Sequence, residues 1–265
     1  MDLIDIGLNL THDSFDPDRD AVVERAIAAG VSQFVLTGSS VAGSDEAIRL
    51  AATRPGRFFA TAGVHPHHAK EFDQETVPAL SALTASPHCV AIGECGLDFF
   101  RNFSTPEQQE HAYREQLLLA ARTKLPVFLH QRDAHGHFVG ILKEHLNEIP
   151  RAVAHCFTGS ADELAIYLEL GLYIGITGWI CDERRGHHLQ EIVGEIPRDR
   201  IMVETDAPYL LPRDLDPKPK SRRNEPAYLP HILVTVARAM SCDPEELGAA
   251  TTANARRFFA VQPPG

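Results

Sequence analysis

CVAIGE, residues 89–94, is a short apolar run that closes on a carboxylate. A strand exposed on one face would alternate apolar and polar residues, whereas this run is apolar at nearly every step, as in a strand covered on both sides within a parallel sheet. Seven further runs of the same kind flank it: LIDIGL (3–8), QFVLTG (33–38), FFATAG (58–63), PVFLH (126–130), RAVAHC (151–156), LYIGIT (172–177) and RIMVET (200–205). Stretches with apolar residues at three- and four-residue steps separate them, such as DAVVERAIAA (20–29) and PEQQEHAYREQLLLAARTK (106–124), the spacing of amphipathic helices. Thr105 with Gln108, Ser160 with Glu163 and Asp243 with Glu246 have the spacing of helix caps with reciprocal capping boxes. Eight strand-then-helix units in one chain of 265 residues predict an α/β fold, a single (β/α)8 TIM-type barrel over 1–265 of the metal-dependent hydrolase class. A doubly wound sheet is the alternative, but DIGLNLTHDSF (5–15) holds no G-x-G-x-x-G turn after the first strand. Two more helices are expected near 226–240 and 244–259.

Composition is even along the chain, 44% hydrophobic and 23% charged, so one soluble domain is the simplest organisation. The first residues carry no basic leader, and no apolar run approaches the roughly 20 residues that cross a bilayer. A cytoplasmic protein, independent of membranes and monomeric, is the expectation. The five cysteines are scattered, without a C-x-x-C pair, and read as buried free thiols. A net charge of -11 argues against general affinity for polyanions, because phosphate binding is driven by Lys and Arg. A nuclease would need a local basic site; Lys218, Lys220, Arg222 and Arg223 form one candidate and Arg184 with Arg185 another.

His65, Glu94, His130, His155 and Asp206 each fall at the carboxyl end of a different expected strand. In a barrel those ends form one rim, where such enzymes place their chemistry. Two imidazoles and a carboxylate can hold a divalent ion and leave positions open for water and substrate, so Glu94, His130 and His155 are read as the metal ligands. Asp206 is read as the general base, Glu204 as a second candidate on the same strand face, and His65 as ligand, proton shuttle or phosphate contact. Arg101 offers a fork suited to phosphate oxygens, and Asp98 a partner that orients a neighbour. His67, His68, His135, His137, His187 and His188 lack a strand-end position and are expected at the surface.

GVHPH (63–67), GECGLDF (93–99), His130 with Arg132 and Asp133, HCFTG (155–159) and ETDAPYL (204–210) occur in order over nearly the whole chain. Together with DERRG (182–186) and PKPKSRRNEP (217–226), they resemble the motif set of the TatD family of metal-dependent deoxyribonucleases. The resemblance implies a magnesium-dependent exonuclease acting from the 3′ ends of single-stranded DNA, with Glu94, His130 and His155 at metal positions and Asp206 at a catalytic one. Ligand chemistry alone favours Mn2+ or Zn2+. Most of the superfamily carries H-x-H on the first strand; here Gly7 and Asn9 stand in those places while Asp5 is kept. A second metal would then bind weakly or only with substrate. Two other readings fit the same rim: an amidohydrolase acting on a small molecule, and a non-catalytic barrel that binds a partner.

Overall fold

The computed structural model describes residues 1–264. Eight strands alternate with helices: β1 (Leu3–Leu8), α1 (Arg19–Ala28), β2 (Val31–Leu36), α2 (Val41–Ala51), β3 (Phe58–Ala62), α3 (Thr76–Leu83), β4 (Cys89–Asp98), α4 (Pro106–Thr123), β5 (Val127–Arg132), α5 (His135–His145), β6 (Ala152–Ala154), α6 (Ala161–Glu169), β7 (Tyr173–Ile176), α7 (His187–Ile192), β8 (Ile201–Val203), α8 (Leu229–Ala239) and α9 (Pro244–Phe259). The sheet runs in sequence order from β1 to β8, and a parallel bridge joins Leu8 to Ala207 just beyond β8. Sequence-ordered parallel strands with intervening helices place the fold in the (β/α)8 barrel class.

The chain forms two compact units, one from residues up to Val35 with those from Cys156 onward, the other Leu36–His155. In the first, β7 pairs with β8 in parallel. Its strands are buried throughout β1, β7 and β8, and Phe258 on α9 meets Tyr173 edge to face. In the second unit, parallel pairing joins β3 to β4, β4 to β5 and β5 to β6. There α4 and α5 lock together through Tyr113 stacked on Phe138, ring centroids 5.2 Å apart, both side chains fully buried. Rings of this size contribute most to core burial.

Thr105 and Ser160 complete the expected capping boxes with Gln108 and Glu163. Asp243 differs: it accepts from the backbone of Glu245 and Glu246, a cap without the returning Glu246 side chain. The largest departure from expectation is β4, which does not stop at Glu94 but continues to Asp98. Its register with β5 shifts between Ile92 and Cys95, where three residues on β4 span two on β5. Such a bulge re-aims side chains locally, and the extra length carries the strand past the carboxylate to a second one. The apolar pattern that ended the reading at Glu94 could not reveal this, because Cys95, Gly96 and Leu97 are themselves compatible with a strand.

Glycine permits this close approach. Gly96 has φ +139°, and a Cβ there would lie 1.9 Å from the carbonyl oxygen of His130. Backbone of that kind disfavours any L side chain. Gly96→Ala is expected to destabilise the protein by about 2–4 kcal/mol, read as a lowered denaturation midpoint, with a displaced His130 and weakened cation binding in whatever fraction folds.

Candidate active site

Glu94 is buried within β4 and its Oε1 is the focus of three imidazoles. His155 Nε2 lies 2.8 Å away, His130 Nδ1 3.0 Å and His65 Nε2 3.3 Å. His130 comes from β5, paired opposite Gly96. His155 follows β6, its amide donating to the Leu129 carbonyl, and His65 follows β3, its amide donating to the Ser39 carbonyl. β3, β5 and β6 thus deliver one donor each to the carboxylate of the fourth strand. The aromatic ring of Phe128 stacks on His155 at 4.5 Å and holds it flat.

A second carboxylate extends the cluster. Asp98 Oδ2 lies 2.7 Å from His67 Nε2 and 3.6 Å from His130 Nε2, while Asp98 Oδ1 accepts from the amides of Phe100 and Arg101. His130 therefore sits between two acids, Glu94 at one nitrogen and Asp98 at the other. The His65 ring packs against His67 at 4.2 Å and His130 at 4.5 Å.

The electrostatics follow from this geometry. Burial pushes the His65 imidazole down to about 4, Glu94 pulling it back and His130 opposing protonation further. For His130 burial also opposes the charged form, yet the Asp98 and Glu94 carboxylates beside its ring outweigh it and raise its pKa. Burial would raise Glu94, but the surrounding His65, His155 and His130 hold it well below the usual carboxylate range. Asp98 is likewise lowered, its burial overcome by His130 and His67. The cluster thus combines carboxylates that stay ionised with a neutral His65, as metal ligation requires.

The donor set fits a divalent cation. His65, Glu94 and His130 each present one ligand atom within 4.8 Å of the others, and His130 Nε2 is buried without a hydrogen-bond partner. Imidazole nitrogens and carboxylate oxygens are ligands shared by Zn2+ and Mn2+, and Asp98 supplies the outer-sphere carboxylate that commonly orients a ligating imidazole.

Among the remaining expected site residues, Asp206 has φ +53° and accepts a 2.9 Å bond from Asn9 Nδ2. Glu204 is fully buried and accepts the amide of Cys156. Arg101 and Arg222 are exposed. Arg223 is not free for phosphate: it donates to Asp18, Glu225 and the Ser14 carbonyl and lies over Phe15. Its charge is spent pinning the chain after β8 to the segment before α1. Lys218 and Arg222, in contrast, line an open cavity of about 420 Å³ with Arg213, Pro212 and Leu215.

His67, one of six histidines expected at the surface, instead bonds Asp98 beside the Glu94 cluster. It lies two positions after His65 in the H-P-H segment, and the same-side spacing of that pair was the signal available. Burial pushes the Cys95 thiol up, consistent with an inert packing role.

Residues 4–260 match the family model described as TatD related DNase. The chain belongs to this family. It is 56% identical over 259 residues to the 3'-5' ssDNA/RNA exonuclease TatD of Citrobacter rodentium, with 98% of each chain covered. Identity to the same-named protein of Salmonella typhimurium is 53% over 259 residues, covering 98% of this chain and 99% of that one. A TatD homologue from Escherichia coli shares the structure with a TM-score of 0.90 at 27% identity, 98% of both chains covered. A TatD family hydrolase from Entamoeba histolytica gives 0.88 at 28% identity, again over 98% of both. Membership in this family makes the protein a hydrolase of phosphodiester bonds, and it separates the chain from the small-molecule amidohydrolase and non-catalytic readings that the fold alone left open.

Asp5, beside the TatD motif ETDAPYL in the first unit, gives a pH signature. It is fully buried and accepts from the amide and hydroxyl of Thr205. Burial raises its pKa from 3.8 to about 7, Glu204 adding to the shift and Thr205 opposing it. Between those values the folded protein keeps a proton that the unfolded chain has released, so the stability contributed by Asp5 is complete below pH 3.8 and is lost as pH rises towards 7. Compared with Asp5→Asn, the wild type is expected to lose stability across this window by up to about 1.4 kcal/mol per pH unit, measured by denaturant unfolding at stepped pH. Parallel curves for the two proteins would assign Asp5 an ordinary pKa.

Proposed function

We propose that the protein is a divalent-cation-dependent 3′-to-5′ exonuclease that hydrolyses phosphodiester bonds at the ends of single-stranded DNA and RNA. The observation that carries this reading is the convergence of His65, His130 and His155 on one oxygen of Glu94. The polarity and the single-stranded substrates come from the names of the relatives. A soluble protein acting as a monomer in the cytoplasm is the setting we propose, consistent with the lack, among the described residues, of any helix long and apolar enough to cross a membrane.

Glu94, His130 and His155 would hold the cation, with His65 as a further donor. A cation held there would supply Lewis acidity to the phosphodiester and would make water a stronger acid. Asp206, matched through the ETDAPYL motif, takes the proton from the attacking water; the Asn9 amide holds its carboxylate in place. Asp98 acts through its neighbours, positioning His67 and His130. His67 and the Arg101 guanidinium are suited to phosphate oxygens. Phe103, 55% exposed and edge-on to His67 at 4.8 Å, offers a face for a terminal base, and stacking of this kind contributes about 1–3 kcal/mol per base without sequence preference. Lys218 and Arg222 bind the trailing backbone. This local basic loop reconciles a net charge of -11 with a polyanionic substrate.

The donor set ranks Mn2+ and Zn2+ above Mg2+, whereas the family resemblance points to Mg2+, so activity is to be compared across the three ions with end-labelled single- and double-stranded DNA and with RNA. Asp206→Asn is expected to lower the turnover rate by about 10²–10⁴-fold with the fold intact, and Glu94→Gln to abolish stoichiometric metal retention. Lys218→Ala with Arg222→Ala should weaken substrate binding and flatten its salt dependence by about 0.7 log units of affinity per log unit of salt for each lost phosphate contact, leaving turnover at saturation near wild type. Undiminished degradation by Asp206→Asn and Glu94→Gln would sink the proposal.

A further inference from the structure

Cys181, Asp214 and His231 meet in the first unit, far from the Glu94 cluster in sequence and sharing none of its residues. Cys181 ends the 3-10 turn Gly178–Cys181 after β7, Asp214 belongs to the proline-rich loop after β8, and His231 lies in the first turn of α8. One ligand atom from each falls within 4.8 Å of the others, and His231 Nε2 is 2.7 Å from Asp214 Oδ1. The nuclease chemistry does not use this group.

We propose that Cys181, Asp214 and His231 form a second cation site, one that takes a thiophilic divalent ion of the zinc class and ties the basic loop to the turn after β7 and to α8. The residue types match: a sulfur, an imidazole and a carboxylate are zinc donors, and three protein ligands leave a fourth tetrahedral position for water. Charge balances too. Thiolate and carboxylate together neutralise a divalent ion, with the imidazole neutral; the Cys181 proton leaves to solvent as the cation enters.

Access also suits a cation. Cys181 is 2% exposed, whereas the side chains of Asp214 and His231 are 34% and 33% exposed, so an ion can enter from solvent past two movable groups to a buried sulfur. Donors at zinc bond lengths stand about 3.5 Å apart. That lies between the 2.7 Å of the His231–Asp214 pair and the 4.8 Å that bounds the cluster, so rotation of the two outer side chains closes the site.

A Cys-His-Asp nucleophile is the competing use of these residue types. It fails on two counts: the sulfur is shielded from substrate, and burial with the neighbouring Asp214 carboxylate pushes the thiol up to about 12, the reverse of an activated cysteine.

A cation here would restrain a specific segment. The loop already touches the turn, with Gly178 so close to the Leu210 carbonyl that a Cβ would lie 2.3 Å from it, and Arg213 reaches Asp182 at 3.8 Å. Asp214 stands between these contacts and the exposed Lys218, Lys220 and Arg222. Fixing Asp214 to α8 shortens the free part of the basic loop.

Cobalt(II) is the probe. The full chain, stripped with chelator and titrated with Co2+, is expected to develop near-ultraviolet thiolate-to-cobalt charge transfer, which a site made only of histidine and carboxylate cannot give. The band should vanish in Cys181→Ser, weaken in His231→Gln and Asp214→Asn, and persist in Cys156→Ser. The two variants at the half-exposed positions keep the test decisive if Cys181→Ser folds poorly. Independently, Zn2+ should slow tryptic cleavage after Lys220 and Arg222 several-fold in the wild type and not in His231→Gln. Absence of the band from the wild type, or its survival in Cys181→Ser, would overturn the assignment.

Discussion

One carboxylate oxygen organises the chemistry of this molecule. Glu94 Oε1 draws imidazole nitrogens from the ends of β3, β5 and β6 to within 3.3 Å. A buried carboxylate is costly unless it is paired, and here the pairing groups are themselves buried, so each depends on the others for its protonation state. The strands must hold these side chains to within a fraction of an ångström. They do so because glycine at 63, 93 and 96 lets backbone approach backbone: a Cβ on Gly63 would stand 2.4 Å from Gly93, and one on Gly93 2.2 Å from the Phe128 carbonyl. The close packing of β3, β4 and β5 and the convergence of their donors are one constraint seen twice.

Charge is distributed by function. The acidic balance of the whole chain discourages indiscriminate binding of nucleic acid, while Lys218, Lys220 and Arg222 stand exposed together on the loop after β8. Not every basic residue in that loop is available. Arg223 serves as a clasp on Asp18 and Glu225, and Arg213 joins Arg184 and Arg185 around Asp182. A run of cations in a sequence thus divides into those that hold the loop and those that reach into its cavity, and the partners decide which is which.

Much of this was legible beforehand. The eight apolar runs located every strand, and Glu94, His130, His155 and His65 were singled out by their place after such runs. Boundaries moved where the strand signal does not end with hydrophobicity: β2 begins at Val31 and stops at Leu36, short of Thr37 and Gly38, because the Gly38 carbonyl turns to accept from Glu94. His67 and Asp98 were assigned lesser roles because their importance lies in a mutual bond of 2.7 Å, across 31 residues, that spacing does not encode.

By itself the sequence determined the fold class, the family and the strand-end residues that meet around Glu94, since strand periodicity, turn residues and ordered motifs are local properties written directly in residue order. The tertiary structure alone decided which acid each histidine faces, which arginines are spent in clasps, and that a cysteine, an aspartate and a histidine drawn from three separate segments share one small volume. Those outcomes depend on register, on the bulge in β4 and on side-chain packing, and contacts between residues distant in the chain are set by how separate strands and loops pair rather than by any one segment.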